Sequence, residues 1–86
     1  MTHPLRIHWL DSARFEVRKL QQPLAMRVFE AVLHFAQSGQ GDIKPLHGKL
    51  ADAFRLRVGE YRVLFTLEDG AMRIFGVRHR SEAYRQ

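Results

Sequence analysis

From Phe54 to Val63 the chain reads Phe-Arg-Leu-Arg-Val, then Gly59-Glu60, then Tyr-Arg-Val. A period of two is the period of a β-strand, and it sends successive side chains to opposite faces of a sheet. One face is therefore apolar and the other carries guanidinium groups. Gly59-Glu60 is a tight turn, so Phe54–Val58 and Tyr61–Glu68 are neighbouring antiparallel strands. Asp69-Gly70 is the strongest hairpin signal in the chain, because both residue types accept the left-handed backbone of a two-residue turn. It leads into a further strand, Met72–Arg78. The three strands form an antiparallel meander.

The phase of these strands decides what each face holds. Phe54, Leu56, Val58, Tyr61, Val63, Phe65, Phe75 and Val77 are assigned to the apolar face. Arg55, Arg57, Arg62 and Arg78 then share the other face, with Gly76 removing bulk there so that another backbone can come close. Such a face can be no more than a solvated surface. Here, however, no acid lies on 54–58 and none sits beside Arg62 or Arg78 within their strands. Like charges opposite one another on adjacent strands repel unless an anion lies between them. Guanidinium is the side chain best shaped for phosphate oxygens, so a phosphate or an acidic peptide is the expected ligand.

The upstream half supplies the layer that covers the apolar face. Leu5-Arg6-Ile7-His8-Trp9 alternates and reads as a first strand. Asp11 or Ser12 is placed to cap a helix running through Phe15, Val17 and Leu20. Pro23 suits the first turn of a second helix. There Arg27, Glu30, His34 and Gln37 form a polar stripe, and Leu24, Val28, Phe29, Val32, Leu33, Phe35 and Ala36 fill the rest. Ser38-Gly39-Gln40-Gly41 stops it. The two helices are joined by two or three residues, so they form a hairpin. Asp42–Ala51 reads as a loop, and 81–86 as a short tail. The expected fold is α+β in the order β-α-α-β-β-β: one domain over 1–86, its helical hairpin packed on one face of a small, mainly antiparallel sheet.

Composition narrows the functional classes. With 45% hydrophobic residues the chain is not of disordered type. It has no cysteine, so neither a disulfide framework nor a thiolate metal site is available, which suits a reducing cytosol. No apolar run approaches membrane-spanning length and no signal-peptide pattern opens the chain, so a cytoplasmic location is expected. Net charge is +5 and eleven of the fourteen basic residues are arginine, which points to nucleic acid or an acidic protein as partner. There is no phosphate-binding glycine loop, nucleophile elbow or zinc ligand set, and no cofactor is expected. His3, His8, His34 and His47 lack metal-ligand spacing, and Trp9 is assigned to the core. Lys44 and Lys49 are loop cations that add attraction to a phosphate backbone. Glu60 and Glu82 are assigned as ion-pair partners of arginines. His79 is a surface histidine at a strand end, or a proton-moving group beside the arginines. Tyr84 caps the core, stacks on a base, or donates its phenolic proton.

Three segments carry a resemblance: Lys44-Pro45-Leu46-His47-Gly48-Lys49-Leu50; the strand pair from Phe54 to Phe65; and Val77-Arg78-His79-Arg80-Ser81-Glu82-Ala83-Tyr84-Arg85. Together with the β-α-α-β-β-β order they resemble the RelE/ParE superfamily of type II toxins over nearly the whole chain. The resemblance implies a toxin paired with a small antitoxin. It implies a metal-independent endoribonuclease, an mRNA interferase that acts in the ribosomal A site. There the RNA 2′-hydroxyl attacks its own phosphate, leaving a 2′,3′-cyclic phosphate and a 5′-hydroxyl, and translation is inhibited. The family's site residues fall on Arg55, Arg57, Arg62, Arg78 and Tyr84; Lys44, Lys49 and Arg80 are assigned beside them, on their charge, as substrate contacts. RelE members carry lysines where Arg55 and Arg57 stand. Arginine does not surrender its proton, so the base passes to another group, of which His79 is the leading candidate. Two other readings share the fold: a ParE-like gyrase inhibitor without nuclease activity, and a non-catalytic module that binds only its antitoxin.

Overall fold

A computed structural model describes residues 3–46 and 53–83. In chain order the elements are β1 (Arg6–Trp9), α1 (Asp11–Arg18), α2 (Gln22–Ser38), β2 (Ile43–Pro45), β3 (Ala53–Val58), β4 (Tyr61–Glu68) and β5 (Ala71–His79). The five strands form one sheet in the order β1-β5-β4-β3-β2. β1 runs parallel to β5, and the other pairs are antiparallel. The expected α+β architecture and the meander are both present. The turn between β4 and β5 places Asp69 at φ 51° and Gly70 at φ 76°, the pair of left-handed residues that matches strand twist in a two-residue hairpin.

β1 lies at the edge of the sheet and pairs only with the first half of β5, Arg6 opposite Ala71 through Trp9 opposite Ile74. The ladder ends with the Leu10 N–H donating to the Ile74 carbonyl at 2.9 Å. The chain then turns straight into α1. Leu10, not Asp11 or Ser12, occupies the position before the helix, and it makes no side-chain cap. Ser12 is recruited to the sheet instead, its hydroxyl donating to the Phe75 carbonyl at 2.8 Å. α2 starts as expected with Pro23 in its first turn. It ends at Gly39, whose φ of 79° lets its N–H donate to the Phe35 carbonyl.

The core holds Ala13 and Val17 of α1, Val28, Val32, Phe35 and Ala36 of α2, and the inward residues of the sheet. Phe65 is fully buried at its centre, 5.5 Å from Phe35 and 5.7 Å from Phe54 between ring centroids. Three sequence expectations change. First, Phe75 is not a core residue. Leu64 pairs with Gly76 but Phe65 pairs with Ile74, so Phe75 is the extra residue of a β-bulge. The bulge shifts the phase by one: Met72 and Ile74 enter the core before it and Val77 after it. Second, Leu33 lies half-exposed on α2, and Phe29 is only partly covered, by an edge-on contact with Trp9 at 5.3 Å. Third, the stretch read as a loop contains β2, a three-residue edge strand. It has no room to alternate and ends in proline, which a sheet edge tolerates. No helix among the described residues is long and apolar enough to cross a membrane.

Phe65→Ala removes the ring that joins α2 to the sheet. It is expected to lower the unfolding free energy by about 3–5 kcal/mol, a large share of the roughly 5–15 kcal/mol of an ordinary domain. Urea unfolding followed by circular dichroism measures it. A loss below about 1 kcal/mol would show that the site collapses around the cavity.

Candidate functional site

Residues directly opposite on neighbouring strands share a face of the sheet, with Cβ atoms roughly 4.5–5.5 Å apart. Arg57 is opposite Arg62, and Arg62 is opposite Arg78. The three arginines thus form a continuous row across β3, β4 and β5. In the next row Lys44 is opposite Arg55, Arg55 opposite Leu64, and Leu64 opposite Gly76. All four predicted arginines occupy one face, away from the helices, and β2 adds Lys44 to it.

This face is not merely solvated. Arg55 and Arg62 are each only 8% exposed. The expectation that these charges stand without acids holds within their strands but not in space. Asp42, just before β2, lies 3.4 Å from Arg55 Nη1 and 3.9 Å from Arg57 Nη1 through its two carboxylate oxygens. It is held there because its carbonyl accepts the Arg57 N–H at 2.9 Å. At the other end, Glu16 of α1 accepts the Arg78 Nε–H at 3.2 Å. Across the sheet the order is Asp42, Arg57, Arg62, Arg78, Glu16: two carboxylates outside and one unneutralised guanidinium in the middle.

Arg62 is that central group. It does not reach into solvent. Its Nη1 donates to the carbonyls of Gly59 and Tyr61 at 3.0 and 2.9 Å, folding the guanidinium over the β3–β4 turn. Its Nε is buried with no hydrogen-bond partner. A buried donor left unmade costs about 1–3 kcal/mol. An anion is the ligand this donor set suits. Gly76 gives the row its clearance. A Cβ there would stand 3.3 Å from Arg78 Nε, Glu16 Oε1 and Leu64 Cδ1, tighter than ordinary packing.

His79 stands at the end of β5, on the face away from the arginine row. It is opposite Tyr61 in the register, in phase with Val77, and so lies on the helix side of the sheet. Its ring meets the Tyr61 ring edge-on at 5.5 Å. Both line a cavity of about 280 Å³ with Glu16, Lys19, Leu20, Val77, Arg78 and Glu82. Arg78 alone of these residues belongs to the arginine row; β5 has no neighbour on the β1 side beyond Ile74, and the Arg78 side chain can reach round that open edge to Glu16. The Ser81 N–H donates to His79 Nδ1 at 3.2 Å, and the Ser81 hydroxyl lies 2.9 Å from the same nitrogen. The neutral ring therefore carries its proton on Nε2 and presents a donor. To act as a base through Nε2 it would have to move that proton and give up the Ser81 contact.

The remaining expected groups divide. Arg80 is exposed and 3.6 Å from Glu60, the pairing expected for Glu60. Glu82 pairs with no arginine among the described residues; Glu16 and Asp42 do so instead. Lys49, His47 and Tyr84 lie outside the described residues. His3, His8 and His34 bond to Ala36, Arg73 and Gln40. No cluster of three or more metal-ligating side chains occurs among the described residues. Sequence reasoning missed Glu16 and Asp42. The available signal was only that each is an acid flanking the meander, with nothing local to tie it to an arginine.

No protein-family model matches the chain. The Toxin RelG of Mycobacterium tuberculosis is 32% identical over 93 aligned positions, covering 96% of this chain and 99% of the relative. The crystal structure of the RelBE2 toxin–antitoxin complex, also from Mycobacterium tuberculosis, contains a similar chain. Its TM-score is 0.82 at 27% identity, with 95% of this chain and 98% of that one covered. The archaeal RelE–RelB complex of Pyrococcus horikoshii shares the fold, with a TM-score of 0.76 at 21% identity over 93% of this chain and 99% of the other. With a relative 32% identical over nearly the full length of both chains and the fold shared with the RelBE2 toxin–antitoxin complex, this chain belongs to the RelE/ParE superfamily, the toxins of type II toxin–antitoxin systems.

Proposed function

We propose that this toxin is a ribosome-dependent endoribonuclease that cuts translated mRNA. The observation that carries the reading is the arginine row with a buried, partnerless Arg62 Nε at its centre. In the reaction the 2′-hydroxyl gives up its proton as its oxygen bonds to the adjacent phosphorus, the bond from phosphorus to the 5′-oxygen breaks, and the departing oxygen takes up a proton, so that none is gained or lost overall. Negative charge builds on the phosphoryl oxygens. Arg62 and the terminal N–H groups of Arg57 and Arg78 are the donors for it, and such fixed donors are each worth about 10²–10³ in rate. Arg55 and Lys44 hold the neighbouring backbone phosphates, with Lys49 and Arg80 as outer contacts. His79 lies on the helix side of the sheet, so it serves the reaction only where the RNA passes round the open edge of β5 beside Arg78, and there its Nε2–H is suited to hydrogen-bond the departing oxygen rather than to deprotonate the attacking hydroxyl. Tyr84 stacks on a base or shares the acid role.

The partner is a cognate antitoxin. The proteins in the similar structures are toxin–antitoxin complexes, and the basic row is a target for an acidic segment that covers or distorts it. The chain acts on the ribosome, in the cytoplasm. A complex whose antitoxin left the row uncovered and undistorted while still abolishing toxicity would count against direct occlusion.

Inducing the chain in cells and mapping mRNA ends tests the activity. Cuts confined to translated codons are expected, with 5′-hydroxyl ends. Growth arrest without cuts, accompanied by gyrase inhibition, would replace this reading with the ParE-like one. Arg62→Met separates function from structure. Methionine keeps an unbranched apolar stem and removes a buried charge along with its two hydrogen bonds to Gly59 and Tyr61, so stability should change by no more than about 1–2 kcal/mol, while cleavage falls by about 10²–10³. Full toxicity in this variant would remove Arg62 from the site.

Two substitutions at Tyr84 separate its roles. Tyr84→Phe keeps stacking and is expected to slow cleavage of ribosome-bound mRNA, whereas Tyr84→Ala loses stacking as well. Primer extension reads both. Equal cleavage by wild type and Tyr84→Phe would leave stacking as the sole role.

A further inference from the structure

We infer that Glu16 is a positioning residue for Arg78, one that sharpens turnover at the expense of RNA affinity; the inference rests on the proposed nuclease reading. Glu16 sits on α1, sixty-two positions before Arg78, and reaches it across the end of the sheet. Its Oε1 accepts the Val77 N–H at 2.9 Å and its Oε2 accepts the Arg78 Nε–H at 3.2 Å. The first bond explains why the carboxylate is there. β1 stops opposite Ile74, so the Val77 N–H meets no strand on that side of β5, and Glu16 supplies the missing acceptor at the sheet edge. That bond fixes the carboxylate to the backbone of β5, one residue from Arg78. The second bond takes the single Nε–H of the guanidinium and leaves its four terminal N–H groups for an incoming phosphate.

A free arginine of this length samples many rotamers, and ordering it on substrate costs entropy. Glu16 orders it beforehand. The same carboxylate adds a negative charge at the rim of an anion site, which weakens phosphate binding. The two effects act on different measurements. Loss of Glu16 charge should raise affinity for single-stranded RNA while lowering the rate of cutting. Damage to the fold would lower both, and a carboxylate that only competes with phosphate would, on removal, raise both.

Three measurements test this. The first is Glu16→Gln. A glutamine has one accepting oxygen for two donors and turns its amide N–H₂ toward the other, so it cannot hold Val77 and Arg78 together. Cleavage of ribosome-bound mRNA should fall by about 10–100-fold, the usual scale for losing an orienting partner. Binding of a short single-stranded RNA should be several-fold tighter, with its salt dependence steeper by up to about 0.7 in slope, and weaker binding would overturn the inference. The second is Glu16→Asp, which keeps the charge but shortens the reach. It should lower cleavage with RNA affinity at the wild-type level, and it decides the matter if Glu16→Gln does not fold.

The third is the Arg78 Nε–H resonance of the wild-type protein, which should exchange slowly with solvent and lose that protection in either variant. Cleavage by Glu16→Gln at or above the wild-type rate would overturn the inference. So would an Arg78 Nε–H that exchanges equally fast with and without Glu16. A wild-type protein that cuts no mRNA would fail the nuclease reading by itself, and the resonance and RNA affinity would still judge the contact.

Discussion

Three arginines stand opposite one another on adjacent strands, Arg57, Arg62 and Arg78, and the surroundings of the row make that arrangement tolerable. Like charges at cross-strand distance repel, and two of the four arginines on this face are buried. The fold answers at the ends of the row, where Asp42 and Glu16 neutralise the outer members from neighbouring elements. The middle is left positive. Arg62 has only backbone carbonyls as partners, and its Nε has none. Charge is therefore graded across the sheet: compensated at the rim, uncompensated at the centre. A single phosphate seated over Arg62 would complete the electrostatics of the face.

The other side of the sheet holds this geometry rigid. Phe35, Phe54 and Phe65 pack in contact at the core centre, on the face opposite the arginines. Because the side-chain period of a strand is two, slipping any strand by one residue would send its arginines inward and its core residues outward. The apolar core thus specifies the register that assembles the charged row. The bulge at Phe75 serves the same end. It corrects the phase between the Ile74 half of β5, which pairs with β1, and the Val77 half, which carries Arg78.

Much of this was legible in the chain. The alternation around Arg55, Arg57 and Arg62 named the strands and their phase, since a period of two is imposed by backbone geometry alone. Asp69-Gly70 and Gly59-Glu60 named the turns, because few residue types accept a left-handed backbone. Together they placed four arginines on one face before any coordinate was known, and the motifs from Lys44 to Arg85 pointed to the superfamily. Phe75 was misassigned because a bulge is a property of two paired strands, not of one. His79, read either as a surface histidine at a strand end or as a group beside the arginines, lies on the face opposite to Arg78, because adjacent residues of a strand face opposite ways.

Tertiary structure alone decided who neutralises whom. Glu16 is sixty-two positions from Arg78, and no local pattern links a carboxylate on a short helix to a distant strand. The link follows from β1 adding in parallel at the edge of β5 and stopping halfway, which swings α1 against the open strand. Asp42 depends in the same way on β2, a strand too short to announce itself by alternation. Local chemistry reaches only a few residues along a chain, so strands, turns and faces can be read from sequence. Which acid meets which base is settled by topology, through contacts that form only once the sheet has closed its order.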